Sequence, residues 1–426
     1  MKRLNLTEDG SATIAGLLYI FVSTGIFVLF RVSPDAAVFR WENGAELTAK
    51  VFSAINMYRI LLIFLVSYAL LLVAHVLQGK PFRTTLGFPV IFLLAMVASV
   101  VGGYKFVNDW GLETVIFSLL IGLLINNLIG IPDWLRNGLS SELYIKVGLI
   151  FLGATILFQH LLKSGALGLI QSVIVVLGVW YFSFYLCKRF KIDRELSVML
   201  SSAVSICGVS AAIASAGAIK GDPKKLSYVV SLVLIVAVPM IVIMPFLAGL
   251  IGLNEVLAGA WIGGTIDTTG AVAATGALYG EEALKTATIV KFSQNVLLGI
   301  AAFLIAVYWN YTKNTNEGTA DRPDLRLIWE RFPKFVLGFI LVSVFFSFFF
   351  SGAEYKPVID SLKKLQGFWF TLGFVSIGLE TNFKALINSE NRKAGWVFLG
   401  AQGFNVLFTL LIAWLVFGIQ WQHLFN

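Results

Sequence analysis

The sequence predicts an all-α membrane protein: a polytopic helical bundle with inverted-topology repeats and two broken or re-entrant helices. Three observations carry that prediction. Of the 426 residues, 58% are hydrophobic and only 13% charged, whereas a soluble globular domain runs at about 45–50% apolar and about 25% charged. Apolar runs of about 20 residues, enough to span a hydrocarbon core of about 30 Å, recur along the chain. Two of those runs, 200–212 and 260–270, are interrupted by Ser, Thr and Gly.

Met1-Lys2-Arg3 and a polar stretch precede the first run, 12–30, which lacks a small-residue cleavage pattern and is read as an uncleaved helix. Further runs follow at 56–77, 86–106, 113–129, 144–162, 166–187, 195–219, 226–250, 256–278, 286–309, 335–350, 368–379 (extending on either side) and 395–417. The polar stretch 310–331 is the one long linker. The expected organisation is additional N-terminal helices at 1–85, a first transporter half with both interrupted segments at 86–309, a cytoplasmic linker at 310–331, and completing helices at 332–426.

Basic residues set the orientation. With the N-terminus inside, Lys80/Arg83, Lys188-Arg189-Phe190-Lys191 with Arg194, the linker, and Lys384/Arg392/Lys393 all fall inside, while Glu281-Glu282 fall outside. Lys363-Lys364 are an exception. The bias assigns a multi-pass protein with a cytoplasmic N-terminus. Net charge of +8 is first a consequence of this loop bias and second a hint of an anionic partner. No basic run is long enough for nucleic-acid binding.

Composition excludes other chemistry. The two cysteines, Cys187 and Cys207, lie in apolar runs and form no disulfide framework. Three histidines, His75, His160 and His423, show no metal-ligand spacing. No phosphate-cradling loop occurs, so any driving energy comes from a gradient or another subunit. No cofactor is expected beyond a coupling H+ or Na+. No nucleophile–base constellation marks an enzyme, since Ser205 and Ser210 lack a His partner.

Small and hydroxylic residues in mid-membrane are poor helix formers, and the backbone groups they free need partners inside protein or a wet cavity. The functional reading makes the two interrupted runs half-helix ends that bind an ion; the bland one is close helix packing through small residues. Topology separates a crossing from a hairpin. As one helix, 195–219 is roughly 38 Å long. If it crosses, Lys220, Lys224 and Lys225 land outside, against the bias; if re-entrant, they stay inside. Charge therefore favours two oppositely inserted hairpins.

An internal repeat agrees. A shift of 225 residues aligns Gly148, Gly153, Phe158, Leu161 and Ser164 with Gly373, Gly378, Phe383, Leu386 and Ser389, each copy a glycine-broken helix running in the opposite sense. A shift of 60 aligns Ile206, Ala211, Ala214 and Lys225 with Ile266, Ala271, Ala274 and Lys285, and by itself carries no conclusion.

Each charge deep in lipid needs a reason, because insertion costs at least about 2.5–3.5 kcal/mol. Asp267 lies at the centre of 256–278, and Lys291 in the next helix has similar depth. They are expected to face each other, as a structural ion pair or as a site where an anion competes with Asp267 for Lys291. Gln294 and Asn295, one turn on, add donors and acceptors. Glu380 is a second cation or proton candidate, or an interfacial residue paired with Lys384.

SICGVSAAIASAGAI, then AGAWIGGTIDTTGAVAATGALYGEEALKTATIVKFSQNVLLG, then LGFVSIGLETNFKAL resemble the candidate sulfate exporter family of bacterial inner-membrane proteins, which is grouped with the bile acid/arsenite/riboflavin transporter superfamily. The resemblance covers roughly 86–417 and implies a secondary transporter with inverted repeats, a core with interrupted helices and a scaffold. Two departures stand out. Asp267 occupies the place of a common His, with Ala271 at a usual Gln, and Gln294 stands where a basic residue is frequent. Positions able to contact an anion have thus lost basic or polar character, and one acid has appeared.

The expected function is alternating-access transport of a small anion, such as sulfate, a sulfonate or a similar oxyanion. Ser205, Cys207, Gly208, Ser210, Gly264, Thr265, Thr268, Thr269, Gly270 and Lys291 are the expected solute-binding residues, with Asp267, Gln294, Asn295 and Glu380 as coupling-ion candidates. Partners are the solute, the bilayer and, as the expected assembly, a second copy. Alternatives are a cation/proton antiporter using Asp267 and Glu380, and a non-transporting scaffold subunit.

Overall fold

The computed structural model describes residues 6–30, 37–109, 114–313, 325–350, 352–382 and 392–418. Its principal helices are α1 (Glu8–Phe30), α2 (Ala54–Leu77), α3 (Phe88–Gly102), α4 (Thr114–Leu124), α5 (Ser141–Leu152), α6 (Phe158–Arg189), α7 (Arg194–Ser202), α8 (Val209–Ile219), α9 (Pro223–Leu250), α10 (Glu255–Thr265), α11 (Thr269–Tyr279), α12 (Glu281–Lys313), α13 (Lys334–Phe349), α14 (Lys356–Glu380) and α15 (Arg392–Ala413). Seven helical stretches among the described residues are long and apolar enough to cross a membrane, and the all-α polytopic class expected from composition is what the backbone shows. Exposed Leu, Ile, Val and Phe along these helices form the outward apolar surface that lipid requires.

The chain forms two compact units, Met1–Leu161 with Lys334–Asn382, and Leu162–Pro333 with Phe383–Asn426. In the first, α14 packs along α4 and α5, and α1 packs on α5, α13 and α2. The 225-residue repeat is visible here as reciprocal packing. A Cβ on Gly148 would meet the Phe370 ring at 2.6 Å, and a Cβ on Gly373 would meet Ile145 Cγ1 at 2.7 Å. Since 148 maps to 373 and 145 to 370, the two close approaches are the same contact seen from either side of a pseudo-two-fold axis. Gly153 likewise abuts Phe339 on α13, while Gly378 abuts Leu119 and Gly122 on α4.

The copies differ at the expected break. After Gly153 the first copy passes through a 3-10 turn, Gly153–Thr155, into extended backbone at Ile156. The second stays helical through Gly378 to Glu380, because Gly378 uses its missing side chain for backbone contact with α4. Phe383, Leu386, Ser389, Lys384, Met1-Lys2-Arg3 and linker residues 314–324 lie outside the described residues.

In the second unit both interrupted runs fold back as hairpins. α7 and α8 pack on each other, joined by a π-helical turn, Ala203–Cys207, and by Gly208 at φ +58°, ψ −111°. The ends of this hairpin are held together. Asp193 caps α7 by accepting from Leu196 N at 3.1 Å, Lys225 Nζ reaches Asp193 Oδ2 at 2.6 Å and Glu195 Oε2 at 3.0 Å, and Asp222 N donates to Glu195. Burial works against the charged form of Asp193, yet the Lys225 ammonium and the Leu196 amide outweigh it and hold the carboxyl below its usual range.

The second hairpin, α10 and α11, turns through extended residues at Ile266 and Thr268. Its ends also meet: Glu255 Oε2 accepts from Glu282 N at 2.8 Å, and the Tyr279 hydroxyl donates to Leu253 O. Each arm of this hairpin has 11 residues, about 16 Å of helix, or half the hydrocarbon thickness. Between the hairpins runs α9, whose 28 residues span about 42 Å. The open ends therefore lie at opposite ends of α9, and the hairpins enter from opposite sides, as the lysine distribution predicts.

Candidate functional site

Folding a helix back in lipid leaves its last carbonyls without the amides of a following turn. At the hairpin tips the carbonyls of 204–206 and 264–266 are in that position, and side chains from α12 and α15 serve all six. Lys291 Nζ donates to Ile206 O at 2.6 Å and Ile266 O at 2.8 Å. Gln294 Nε2 donates to Ser205 O at 2.9 Å and Gly264 O at 3.3 Å. Asn405 Nδ2 donates to Val204 O at 3.1 Å and Thr265 O at 3.0 Å, and Gln402 Nε2 adds a bond to Thr265 O at 3.1 Å. Each of Lys291, Gln294 and Asn405 bridges both tips. The 60-residue shift that pairs Ile206 with Ile266 thus corresponds to two carbonyls held by one ammonium.

The supporting helices place these groups by simple periodicity. Lys291, Gln294 and Asn295 lie at i, i+3 and i+4 on one face of α12, and Gln402, Asn405 and Thr409 at i, i+3 and i+7 on one face of α15. Gln294 Oε1 accepts the third Lys291 proton at 2.7 Å, and Thr409 Oγ1 donates to Asn405 Oδ1 at 2.8 Å. Lys291 is 1% exposed; its three donors are all engaged. A cation facing the carbonyl ends of two half-helices is favourable, because those ends carry partial negative charge.

Asp267 occupies the opposite electrical position, between the tips and before the N-terminus of α11. It is 2% exposed, and the contacts of the Lys291 ammonium are the Ile206 and Ile266 carbonyls and Gln294 Oε1 in place of the expected direct ion pair with Asp267; the sequence does not display these backbone carbonyls. A Cβ on Gly208 would lie 3.2 Å from Asp267 Cβ and 3.4 Å from Thr268 Cγ2, so the two breaks touch. Thr268 Oγ1 caps α11 by accepting from Ala271 N at 3.2 Å, and Asn295 Nδ2 donates to Thr269 Oγ1 at 3.2 Å.

The remaining expected site residues separate into groups. Ser210 is exposed at the start of α8, which receives no side-chain cap from Gly208. Cys207, Thr265 and Gly270 are buried at the tips. Ser205 turns its hydroxyl back to Ser201 O at 2.7 Å, and Gly264 lies against Gln171 and Thr409. Glu380 belongs to the first unit, where its Oε2 accepts from Ser141 Oγ at 2.6 Å. Gln402 and Asn405 escape the sequence reading; their signal is a pair of amides spaced i, i+3 in an apolar helix, the same pattern as Lys291 and Gln294.

Residues 86–396 match the family described as conserved hypothetical protein 698. A UPF0324 membrane protein of Rhodopirellula baltica is 41% identical over 308 residues, 69% of this chain and 56% of that protein. One from Nitratidesulfovibrio vulgaris is 37% identical over 314 residues, 70% of this chain and 54% of its own length. The chain thus spans little more than half the length of these relatives. A UPF0324 membrane protein of Clostridium tetani is 28% identical, with 62% of this chain and 79% of the relative covered. Among solved structures, the sodium proton antiporter MjNhaP1 from Methanocaldococcus jannaschii aligns with 76% of this chain and 100% of its own at 13% identity, but at a TM-score of 0.19 it has no bearing on the fold. The chain belongs to the conserved hypothetical protein 698 family of UPF0324 membrane proteins, which is the same family as the candidate sulfate exporters its motifs resemble.

Proposed function

We propose that this protein is a secondary active transporter of a small anion, working by alternating access in the bacterial inner membrane with its N-terminus in the cytoplasm. The observation that carries the reading is the meeting of two opposed re-entrant hairpins tip to tip. Such an arrangement puts non-helical backbone at mid-depth, where lipid tolerates it only inside protein or beside a cavity. The N-termini of α8 and α11 present positive helix ends there. Ser210 and the Thr268 and Thr269 hydroxyls supply donors for the solute, while Lys291 neutralises the carbonyl ends and holds the tips together. Basic loops at Lys188–Arg194 and Lys220–Lys225 share the cytoplasmic side under this orientation.

Uptake of radiolabelled sulfate and small sulfonates into proteoliposomes tests the reading. Saturable flux, reduced by Thr268→Val and Thr269→Val, is expected. Absence of flux for every anion under all imposed gradients, from folded protein, would overturn it in favour of a scaffold. The antiporter alternative rests on the buried carboxylate of Asp267; cation flux driven by a pH step with no anion present would select it.

A further inference from the structure

Four buried oxygens at the second hairpin tip have no hydrogen-bond partner among the described residues: Asp267 Oδ2, Thr265 Oγ1, Asn295 Oδ1 and Gln402 Oε1. Their residues are 2%, 1%, 4% and 4% exposed respectively. Buried polar atoms without partners are rare in native proteins, so a cluster of them asks for an explanation. Gln402 must direct its NH2 to the carbonyl Thr265 O, which commits its own carbonyl oxygen to the other side; Asn295 donates its NH2 to Thr269 Oγ1, a hydroxyl able to pair with either end of that amide. All four groups are therefore anchored on the one tip segment, 265–269.

We propose that this tip binds a monovalent metal cation, sodium, through Asp267 Oδ2 and the oxygens of Thr265, Asn295 and Gln402. The Thr265 hydroxyl is the one donor among the four acceptor oxygens of this set. A proton on Asp267 would add a second O–H donor and leave the carboxyl neutral, whereas a hard cation takes several oxygens at once and leaves Asp267 ionised. One carboxylate matches one positive charge, and Lys291 at the same tips disfavours a divalent ion. This deepens the transport reading and rests on it: the cation offsets Asp267 beside the two helix N-termini, so the anion meets an electropositive site only when sodium is present. Coupling of this kind is reciprocal. Sodium raises the affinity for the anion by the factor by which the anion raises the affinity for sodium.

Thermal unfolding of the purified full chain in nanodiscs tests the proposal, with NaCl, KCl and choline chloride compared at constant ionic strength and without added anionic solute. A saturable rise in melting temperature specific to sodium is expected. Its apparent sodium affinity should weaken at least tenfold in Asp267→Asn and several-fold in Asn295→Ala. Calorimetric titration of the unsubstituted protein with NaCl keeps the test independent of variants that fail to fold. No sodium-specific response in the unsubstituted protein, an undiminished response in folded Asp267→Asn, or stabilisation that follows pH and ignores sodium would each overturn it. Anion flux separates the two levels: flux without sodium binding removes only the cation site, and sodium binding without any anion flux removes only the anion reading.

Discussion

Replacing Lys291 by Met keeps the length of the side chain and removes its three donors. Two tip carbonyls, Ile206 O and Ile266 O, and the Gln294 amide oxygen then lose a partner. A buried acceptor left alone costs about 1–3 kcal/mol, so the two carbonyls contribute about 2–6 kcal/mol. The loss of a cation from two helix C-termini adds about 0.3–2 kcal/mol at each. Relief from burying an ammonium offsets part of this, and removal of one member of a buried charged constellation typically costs about 3–5 kcal/mol net. At about 2–4 °C per kcal/mol for a unit of 150–250 residues, the melting temperature falls by roughly 6–20 °C. Amide exchange should rise at both tips together, near 203–208 and 264–268, and not at one alone. A variant that melts like the parent, keeps both tips protected and loses only anion flux would refute the reasoning and return Lys291 to a direct contact with solute.

Three further outcomes follow from particular contacts. Gly208→Ala forces a Cβ onto a backbone at φ +58°, ψ −111° and within 2.6 Å of Val233 Cγ1, so it should destabilise the second unit by about 2 kcal/mol or more, read as loss of folded yield and of tip protection. The repeat predicts matched rescues: Gly148→Ala should be relieved by Phe370→Leu, and Gly373→Ala by Ile145→Val, each rescue visible in thermal unfolding as coupling of about 0.5–3 kcal/mol. Because the folded state holds the Asp193 carboxyl below its usual range, its contribution is present above the unfolded-state value of about 3.9 and is lost as pH falls through the lower folded value. The pair is half exposed, 28% and 50% for Lys225 and Asp193, so acid titration of the parent against Asp193→Asn should differ by no more than about 1 kcal/mol.

Much of the fold is legible in the residues. The apolar runs mark the helices to within a few positions at most ends, and the lysines at 220–225 distinguish hairpin from crossing because charge bias acts on loops irrespective of what lies between them. Glycines 148 and 373 announce the repeat for a physical reason, since each is a place where a neighbouring helix comes too close for a side chain. Gly378 shows the limit of that signal: a glycine that admits a neighbour and a glycine that ends a helix look alike in sequence. The same limit hides the role of Lys291. Side-chain charges can be counted from the sequence, but the six carbonyls at the tips exist as acceptors only after both helices have turned back, and they outbid Asp267 for the ammonium. Gln402 and Asn405 are hidden by distance along the chain, more than a hundred residues from the carbonyls they serve.

The account rests on two hairpins that open toward opposite sides of the membrane. In a variant lacking Cys187 and Cys207, single cysteines at Arg189, Lys224, Ile251 and Glu281, all exposed positions, can be labelled with an impermeant maleimide from one side of sealed vesicles. Positions 189 and 224 should react from one face, and 251 and 281 from the other. Reaction of 189 and 224 from opposite faces would make the first interrupted run a crossing and contradict the arrangement on which the site is built.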